Sequence, residues 1–136
     1  GIKVTIDLNN DLPPVFCDFD QIAQVIMNLI INALEAMPNG GELVLRTFLE
    51  VEKSRIGLMI KDNGTGISHE DQHRIFDPFF TRKVHGSGLG LYISQQIIDK
   101  HQAAIDFTSK PGAGTSFYIY FPISGNDDEN TVAEDE

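Results

Sequence analysis

Apolar residues recur along the chain with two spacings, and each spacing predicts a different element. Residues 3–8 alternate polar and apolar side chains, which is the period of a strand. A long segment rich in apolar residues follows Asp20, the expected N-cap of a helix over residues 21–37, and a Pro-Asn-Gly-Gly turn ends it. Residues 42–51 and 55–60 are two apolar-rich runs separated by a short polar turn, so they predict a hairpin.

The second half of the chain continues this mixture of periods. Ser68 is the expected cap of a short helix that reaches Ile75. A second long helix is predicted over residues 89–101, followed by strands over residues 105–108 and 116–121 with a glycine-rich turn between them. Because strands, hairpins and helices are interspersed, the sequence predicts an α/β (α+β) two-layer sandwich. We expect a mixed, mostly antiparallel sheet of about five strands packed on about three helices.

Composition narrows the classes of function. The chain has 136 residues, a formal net charge of −10 and one cysteine, Cys17. An acidic balance argues against a surface that coats nucleic acid and against a polybasic membrane-surface module. The apolar runs fall short of the ~18 residues of a membrane span, no signal peptide is visible, and a single cysteine suits a reducing compartment. We therefore expect a cytoplasmic domain with no nucleic-acid partner and no direct membrane contact.

The acidic charge is concentrated at the end of the chain. Six of the 20 acidic residues follow Gly125, and no basic residue accompanies them there. A segment of that composition cannot bury enough apolar surface to offset its ordering entropy. We expect residues 1–123 to form one folded domain and residues 124–136 to form a disordered acidic tail.

The first long helix carries a polar stripe on an otherwise apolar surface, although a helix that is apolar nearly all round is expected to be buried. The stripe residues recur at spacings of three and four and share one face: Gln21, Gln24, Asn28, Asn32 and Glu35. A buried amide without a partner costs ~1–3 kcal/mol, so the stripe must face partners, water or a ligand. It is either the solvent-facing edge of an amphipathic helix or the polar wall of a cavity, where amide oxygens suit a hard cation such as Mg²⁺.

The first of two glycine clusters, residues 62–66, directly follows a predicted strand. Asp62 offers a fixed carboxylate acceptor, and Gly64 and Gly66 allow close approach of the backbone. This spacing suits a nucleotide, although a tight turn also favours Asp-Asn-Gly.

The second glycine cluster, residues 86–90, opens the second long helix. Free N–H groups at a helix start form an anion site, although a flexible loop would have the same composition. The cluster matches neither a P-loop nor a dinucleotide fingerprint. Before it, residues 76–83 combine three phenylalanines with Arg82 and Lys83. That segment is either a loop with an apolar anchor and a phosphate-facing tip, or core aromatics beside a solvated Arg-Lys pair.

Residues 69–73 match the H-E-x-x-H pattern of zinc proteases. The predicted helix there is short, and Ser68 with Asp71 indicates a capping arrangement instead. A zinc site is the weaker interpretation of this segment.

Taken together, these residues resemble the catalytic ATP-binding domain of sensor histidine kinases, in the superfamily shared with gyrase, mismatch-repair and heat-shock chaperone ATPases. Five motifs stand in that family's order: residues 28–32 (N box), 62–66 (G1 box), 76–80 (F box), 86–90 (G2 box) and 112–117. The resemblance covers nearly all of residues 1–123. It implies the Bergerat ATP-binding fold, with residues 1–123 as the catalytic domain and with ATP and Mg²⁺ as cofactors.

The resemblance implies roles at the phosphate end of the nucleotide. Asn32 would coordinate the Mg²⁺ that bridges the phosphates, with Asn28 one turn away in support and Glu35 near the same region. Residues 76–86 would form a lid over the nucleotide, from which Lys83 would approach the γ-phosphate. Asn28 and Lys83 would thus be the catalytic pair.

At the purine end, the resemblance implies that Asp62 accepts a hydrogen bond from the adenine 6-amino group, directly or through water, with Thr115 nearby. Gly64 and Gly66 would let the purine lie against the backbone, and the second cluster would present N–H groups to phosphate oxygens. The remaining nucleotide-binding residues implied are Ile67, Phe80, Arg82, Gly86, Ser87, Gly88, Leu89 and Gly90.

One position favours a kinase over the related hydrolytic ATPases. Those enzymes place a Glu four residues before the Mg²⁺-binding Asn as a general base, whereas this chain has Asn28 there, an amide that cannot take a proton. We therefore expect transfer of the γ-phosphoryl to a histidine on the dimerisation and phosphoacceptor domain of the same protein, with a response-regulator receiver domain as a further partner. An ATPase or serine kinase of the superfamily and a non-catalytic nucleotide-binding module are the alternatives.

Overall fold

A computed structural model describes residues 1–82 and 86–123, and in this part of the chain five strands form one sheet on which helices pack. The elements are β1 (Ile2–Asp7), α1 (Phe19–Glu35), β2 (Gly41–Glu50), β3 (Arg55–Asp62), α2 (His69–Gln72), α3 (Gly90–Lys100), β4 (Ala104–Lys110) and β5 (Gly114–Pro122). The strand order is β1-β2-β3-β5-β4. Only the β1–β2 pair of these described strands is parallel, so the predicted mixed, mostly antiparallel sandwich is confirmed.

The register of the sheet aligns apolar residues on the face that the helices cover. Ile60 of β3 lies beside Leu45 of β2 and beside Phe117 of β5. Val25 and Leu29 of α1 are completely buried in the same cluster. Because side chains alternate along a strand, this register sends Leu45, Ile60 and Phe117 to the same side of the sheet, the side on which α1 packs.

The outward side of α1 corrects the expectation that this helix is buried all round. Phe19 is 80% exposed and Met27 is 55% exposed, and Ile31 and Leu34 are exposed as well. The helix lies on one face of the sheet, so only the stripe that includes Val25 reaches the core.

The start of α1 also differs from the prediction, since Asp18 rather than Asp20 is the N-cap. Asp18 has an extended backbone, and its Oδ1 accepts the N–H of Gln21 at 3.1 Å. Asp20 lies in the first turn, where a carboxylate interacts favourably with the helix dipole. The prediction was wrong because two acids two residues apart both fit the pattern of a cap, and only the backbone distinguishes them.

Ser68 caps α2 as predicted, but the helix is shorter than expected. Its Oγ accepts the N–H of Asp71 at 3.2 Å. After Gln72 the N–H groups of Arg74 and Asp77 bond to carbonyls three residues back, which is turn geometry. The two last strands are each longer than predicted, because their ladder continues to the turn that joins them.

None of the helices in the described part of the chain combines the length and the apolar character needed to cross a bilayer. The predicted acidic tail, residues 124–136, lies outside the described residues. The domain boundary at residue 123 therefore stays a prediction.

His101 joins the end of α3 to the start of α1. Its Nε2 accepts the backbone N–H of Asp18 at 2.9 Å, and its Nδ1 lies 2.8 Å from the carbonyl oxygen of Ile97. Because a carbonyl can only accept, Nδ1 carries the hydrogen and Nε2 provides the lone pair. The imidazole therefore links the two long helices at one end of their contact.

We expect His101→Ala to lower the free energy of unfolding by about 1 kcal/mol, because the Asp18 N–H loses its acceptor. Urea denaturation followed by circular dichroism measures this difference. The matched control is His73→Ala at an exposed position after α2, where a change within about 0.5 kcal/mol is expected. Equal losses in the two variants would contradict the assigned link.

Candidate functional site

The motifs found in the sequence meet around a cavity of about 820 Å³ between α1, the start of α3, the end of β3 and the start of β5. The predicted site residues that line it are Asn28, Asn32, Glu35, Asp62, Gly66, Ile67, Phe80, Arg82, Gly86, Ser87, Gly88, Gly90 and Thr115. Gly64 and Leu89 do not belong to this lining. Lys83, the second predicted catalytic residue, lies outside the described residues.

Asp62 ends β3 at one side of the cavity and is 4% exposed. Its Oδ1 accepts the N–H of Gly64 at 2.8 Å and the N–H of Thr115 at 3.3 Å. Burial raises the pKa of Asp62 above its ordinary value, and the two backbone hydrogen bonds offset part of that rise. Among the described residues both donors reach the same oxygen, so Oδ2 remains as an acceptor for a ligand.

A side-chain network that sequence reasoning missed supports the cavity wall beside Asp62. Ser109 Oγ lies 2.8 Å from Thr115 Oγ1 and accepts the N–H of Ile67 at 2.8 Å. Gln72 Nε2 donates to the carbonyl oxygens of Ile67 at 2.9 Å and Ser109 at 3.3 Å. The network holds Ile67 and Thr115 in place. The feature that could have revealed this network is the strand register, which sets Ser109 opposite Thr115.

The glycines of the first cluster allow close backbone packing. A Cβ atom at Gly64 would lie 2.3 Å from the carbonyl oxygen of Ala36, and one at Gly66 would lie 2.3 Å from that of Lys110. Gly66 also has a φ of 72°, in the region that favours glycine. The end of α1 therefore accounts for Gly64, which does not line the cavity, whereas Gly66 both packs and contributes to the lining.

Asn28 is attached to α3 through both hydrogens of its amide. Nδ2 donates to the Gly90 carbonyl at 3.3 Å and to Ser94 Oγ at 3.2 Å. Ser94 is completely buried and was not identified from the sequence. A serine in a helix carries no functional signal until the facing helix is known.

Asn32 and Glu35 follow Asn28 along the same face of α1 and line the same cavity. The stripe therefore forms a polar wall over its second half, whereas Gln24 is exposed outside the cavity. Amide and carboxylate oxygens are the ligand types that Mg²⁺ takes, so the donor set of this wall fits the predicted cation.

The H-E-x-x-H segment gives no comparable donor set. His69 begins a four-residue helix, and His73 is its C-cap. The described residues contain no group of three or more His, Cys, Asp or Glu side chains that could hold a metal ion.

Arg82 lies at the edge of the cavity in a bidentate ion pair. Its Nη2 and Nε donate to the two carboxylate oxygens of Asp71 at 2.8 and 3.0 Å. The hydrogen bond from Arg82 is the main cause that lowers the pKa of Asp71 below its ordinary range. The guanidinium also lies 5.3 Å from the centre of the Phe80 ring, within cation–π range.

The loop before α3 is closed by a close backbone contact between Phe79 and Gly88. The Phe79 N–H donates to the Gly88 carbonyl at 2.8 Å, and a Cβ at Gly88 would lie 2.3 Å from the Phe79 carbonyl carbon. Phe79 itself has a φ of 69°. Ser87 Oγ accepts the N–H of Leu89, while the first turn of α3 directs further backbone N–H groups away from the helix. This end of the cavity therefore suits an anion.

The family described as histidine kinase-, DNA gyrase B- and HSP90-like ATPase matches residues 17–125. Sporulation kinase E of Bacillus subtilis (strain 168) is 37% identical over 95% of this chain and 17% of that protein. The signal transduction histidine-protein kinase AtoS of Escherichia coli (strain K12) is 40% identical over 91% of this chain and 21% of that protein. The chain thus spans about a fifth of the length of these two relatives.

Solved structures give the same result. The catalytic domain of histidine kinase ThkA is 31% identical with a TM-score of 0.77, over 90% of this chain and 79% of that one. The mycobacterial sensor histidine kinase MprB is 28% identical with a TM-score of 0.76, over 89% of this chain and 83% of that one. The chain therefore belongs to the family of histidine kinase-, DNA gyrase B- and HSP90-like ATPases, in which it is a catalytic domain of the histidine-kinase type.

Proposed function

We propose that this domain binds ATP with Mg²⁺ in the cavity and donates the γ-phosphoryl to a histidine on a separate phosphoacceptor domain. The proposal rests on one observation, namely that three different kinds of binding group line the same cavity. A buried carboxylate, Asp62, lies among the lining residues with the polar wall of α1 and the glycine-rich start of α3. A molecule with a hydrogen-bonding base and a polyanionic end matches this arrangement.

Asp62 is suited to bind the nucleobase of ATP. Its backbone hydrogen bonds orient the carboxylate, and Oδ2 can accept a hydrogen bond from an exocyclic amino group. Adenine carries such a donor at position 6, whereas guanine has a carbonyl there and would oppose an acceptor. The Thr115 hydroxyl, held by Ser109, adds a second polar group to the same wall.

The polar wall of α1 is suited to a phosphate-bound cation. Asn32 provides an amide oxygen and Glu35 a carboxylate, and Asn28 has its oxygen left after its amide hydrogens bind α3. We assign Asn32 as the main ligand, with Asn28 and Glu35 in support. Mg²⁺, when bound, neutralises charge on the phosphates.

Positive groups at the other side of the cavity support binding of the phosphates. The guanidinium of Arg82 is held at the rim by Asp71, and N–H groups at the start of α3 point from the helix end. Lys83 stays the proposed partner of the γ-phosphate on the resemblance of its motif alone. Such groups stabilise charge on a phosphoryl group in transfer without taking part in covalent steps.

Two observations favour transfer to another domain. By the resemblance of its motif, Asn28 occupies the position of the general base of the hydrolytic ATPases, and an amide cannot accept the proton of water. Among the described residues no histidine lines the cavity, since His101 is engaged with Asp18 and the other two lie near α2. The acceptor we propose is a histidine of the dimerisation domain in the same protein. A response-regulator receiver domain would then take the phosphoryl group, in the cytoplasm.

We expect Asp62→Asn to weaken ATP binding roughly 10- to 100-fold, because the amide can place N–H donors against the amino group of adenine. The same change should raise the melting temperature of the ligand-free protein. The pKa of Asp62 is raised in the folded state, so folding favours the protonated form and the ionised carboxylate costs stability at neutral pH. Calorimetric titration with ATP and differential scanning calorimetry measure the two effects.

The control for Asp62 is Asp106→Asn on β4, an exposed position where neither the ATP affinity nor the melting temperature should change.

The raised pKa of Asp62 also predicts a dependence on pH. On acidification the ATP affinity of the parent protein should fall, while the contribution of Asp62 to stability should rise. Both responses should be absent in Asp62→Asn. Unchanged affinity in Asp62→Asn would remove Asp62 from the base site. Failure of the parent protein to bind ATP would refute the proposed function.

We expect Asn32→Ala to weaken ATP binding by at least about tenfold in the presence of Mg²⁺ and to leave binding in EDTA unchanged, because only the metal-dependent part of the affinity uses the amide oxygen. The matched control is Gln24→Ala, which removes an amide from the exposed part of the same stripe. Calorimetric titrations with and without Mg²⁺ separate the metal-dependent part of the ATP affinity from the metal-independent part. An equal loss in EDTA would contradict the metal role of Asn32.

A further inference from the structure

Ser94 is a completely buried hydroxyl on α3 that faces the polar wall of the cavity without belonging to its lining. Its Oγ accepts a hydrogen bond from Asn28 Nδ2 at 3.2 Å. The same nitrogen donates to the carbonyl oxygen of Gly90, one turn earlier on α3, at 3.3 Å. Both amide hydrogens of Asn28 therefore go to one helix.

The Gly90 carbonyl decides which way the Asn28 amide faces. A carbonyl oxygen can only accept a hydrogen bond, so the amide nitrogen must lie toward α3 and the amide oxygen away from it. In the flipped orientation Oδ1 would oppose the Gly90 oxygen. The atom of Asn28 that remains for a ligand in the cavity is therefore Oδ1, the atom that can bind a hard cation.

One hydrogen bond to Gly90 is not enough to hold the amide plane. The last side-chain torsion of asparagine is broad, so a single hydrogen bond, here to Gly90, leaves the amide able to rotate about that bond. A second acceptor for the other hydrogen fixes rotation about that torsion. Ser94 is this second acceptor, and its complete burial keeps water away from its hydroxyl.

We propose that Ser94 is a positioning residue for the metal-dependent part of nucleotide binding, because its hydroxyl holds the amide of Asn28 with Oδ1 toward the cavity. This inference rests on the proposed function. In this proposal the first turns of α3 have two roles. Their N–H groups bind phosphate, and Ser94 orients the amide of Asn28 toward the cation. Partners of this kind behind a metal-binding side chain typically change metal affinity 10- to 100-fold.

A simpler role for Ser94 is to provide a small side chain where α1 and α3 approach each other. Alanine preserves that small volume and removes only the hydroxyl. Ser94→Ala thus separates the two roles, since packing is kept while the amide of Asn28 loses one of the two hydrogen bonds that hold it. Asn28 loses one acceptor in this variant and keeps the bond to Gly90.

The test compares the parent protein, Ser94→Ala, Asn28→Ala and the double variant by calorimetric titration with ATP, in Mg²⁺ and in EDTA. We expect Ser94→Ala to weaken binding about tenfold in Mg²⁺ and to leave it unchanged in EDTA. In the Asn28→Ala background, Ser94→Ala should cause no further loss, because the residue acts through the amide. Ser94→Cys, with its weak acceptor, should lie between the parent protein and Ser94→Ala.

Two control variants address folding and nonspecific effects. Ser116→Ala changes a serine on the opposite face of the sheet and should leave binding unchanged in both buffers. Ile98→Val trims a completely buried residue of α3 and should lower stability without a selective loss in Mg²⁺. Melting temperatures of all variants are measured without nucleotide.

The outcomes separate this inference from the proposed function. If the parent protein binds ATP with Mg²⁺ and Ser94→Ala binds equally well, the positioning role is wrong and the proposed function stands. A loss of equal size in Mg²⁺ and EDTA, or one that adds fully to that of Asn28→Ala, would also overturn it. If the parent protein fails to bind ATP, the proposed function and this inference both fail.

Discussion

The antiparallel contact between α1 and α3 is the constraint on which the cavity depends. It is fixed at both ends by hydrogen bonds, from Asn28 to Gly90 and Ser94 at the cavity and from Asp18 to His101 at the far end. The polar wall lies on one of these helices, and the glycine-rich segment proposed to bind phosphate lies at the start of the other. A shift of one helix by a single turn, about 5.4 Å, would separate the groups proposed for the cation from those proposed for the phosphates.

The sheet provides the other half of the site in the same manner, through register. Pairing of β3 with β5 sets Asp62 beside Thr115, and pairing of β4 with β5 sets Ser109 beside Thr115. The end of the cavity proposed for the purine is thus set by strand pairing, and the end proposed for the cation is set by helix packing. Burial raises the pKa of Asp62, so the ionised carboxylate costs stability in the folded state.

Periodicity and turn residues predicted the order of the strands and helices, because apolar spacing distinguishes a strand from a helix. The polar stripe and both glycine clusters were also readable, since each motif is local in sequence. The residues that hold those motifs in place could not be identified from the sequence. Ser94, Ser109 and Asp71 act through partners that are 66, 6 and 11 positions away, and each is an ordinary polar residue without its partner. The choice between Asp18 and Asp20 as N-cap likewise depends on backbone conformation rather than composition.

The packing of the two helices also bears on the choice between transfer and hydrolysis. By the resemblance of the motif, the related hydrolytic ATPases carry a general-base Glu where this chain has Asn28. A carboxylate at this position would face the Gly90 carbonyl, an acceptor that offers it no hydrogen, whereas the amide satisfies both that carbonyl and Ser94. The Gly90 carbonyl opposite Asn28 thus favours a donor at this position. Both amide hydrogens of Asn28 bind α3, and its remaining oxygen lacks the basicity to deprotonate water. In the proposed function, the helix contact that shapes the cavity would therefore also disfavour hydrolysis.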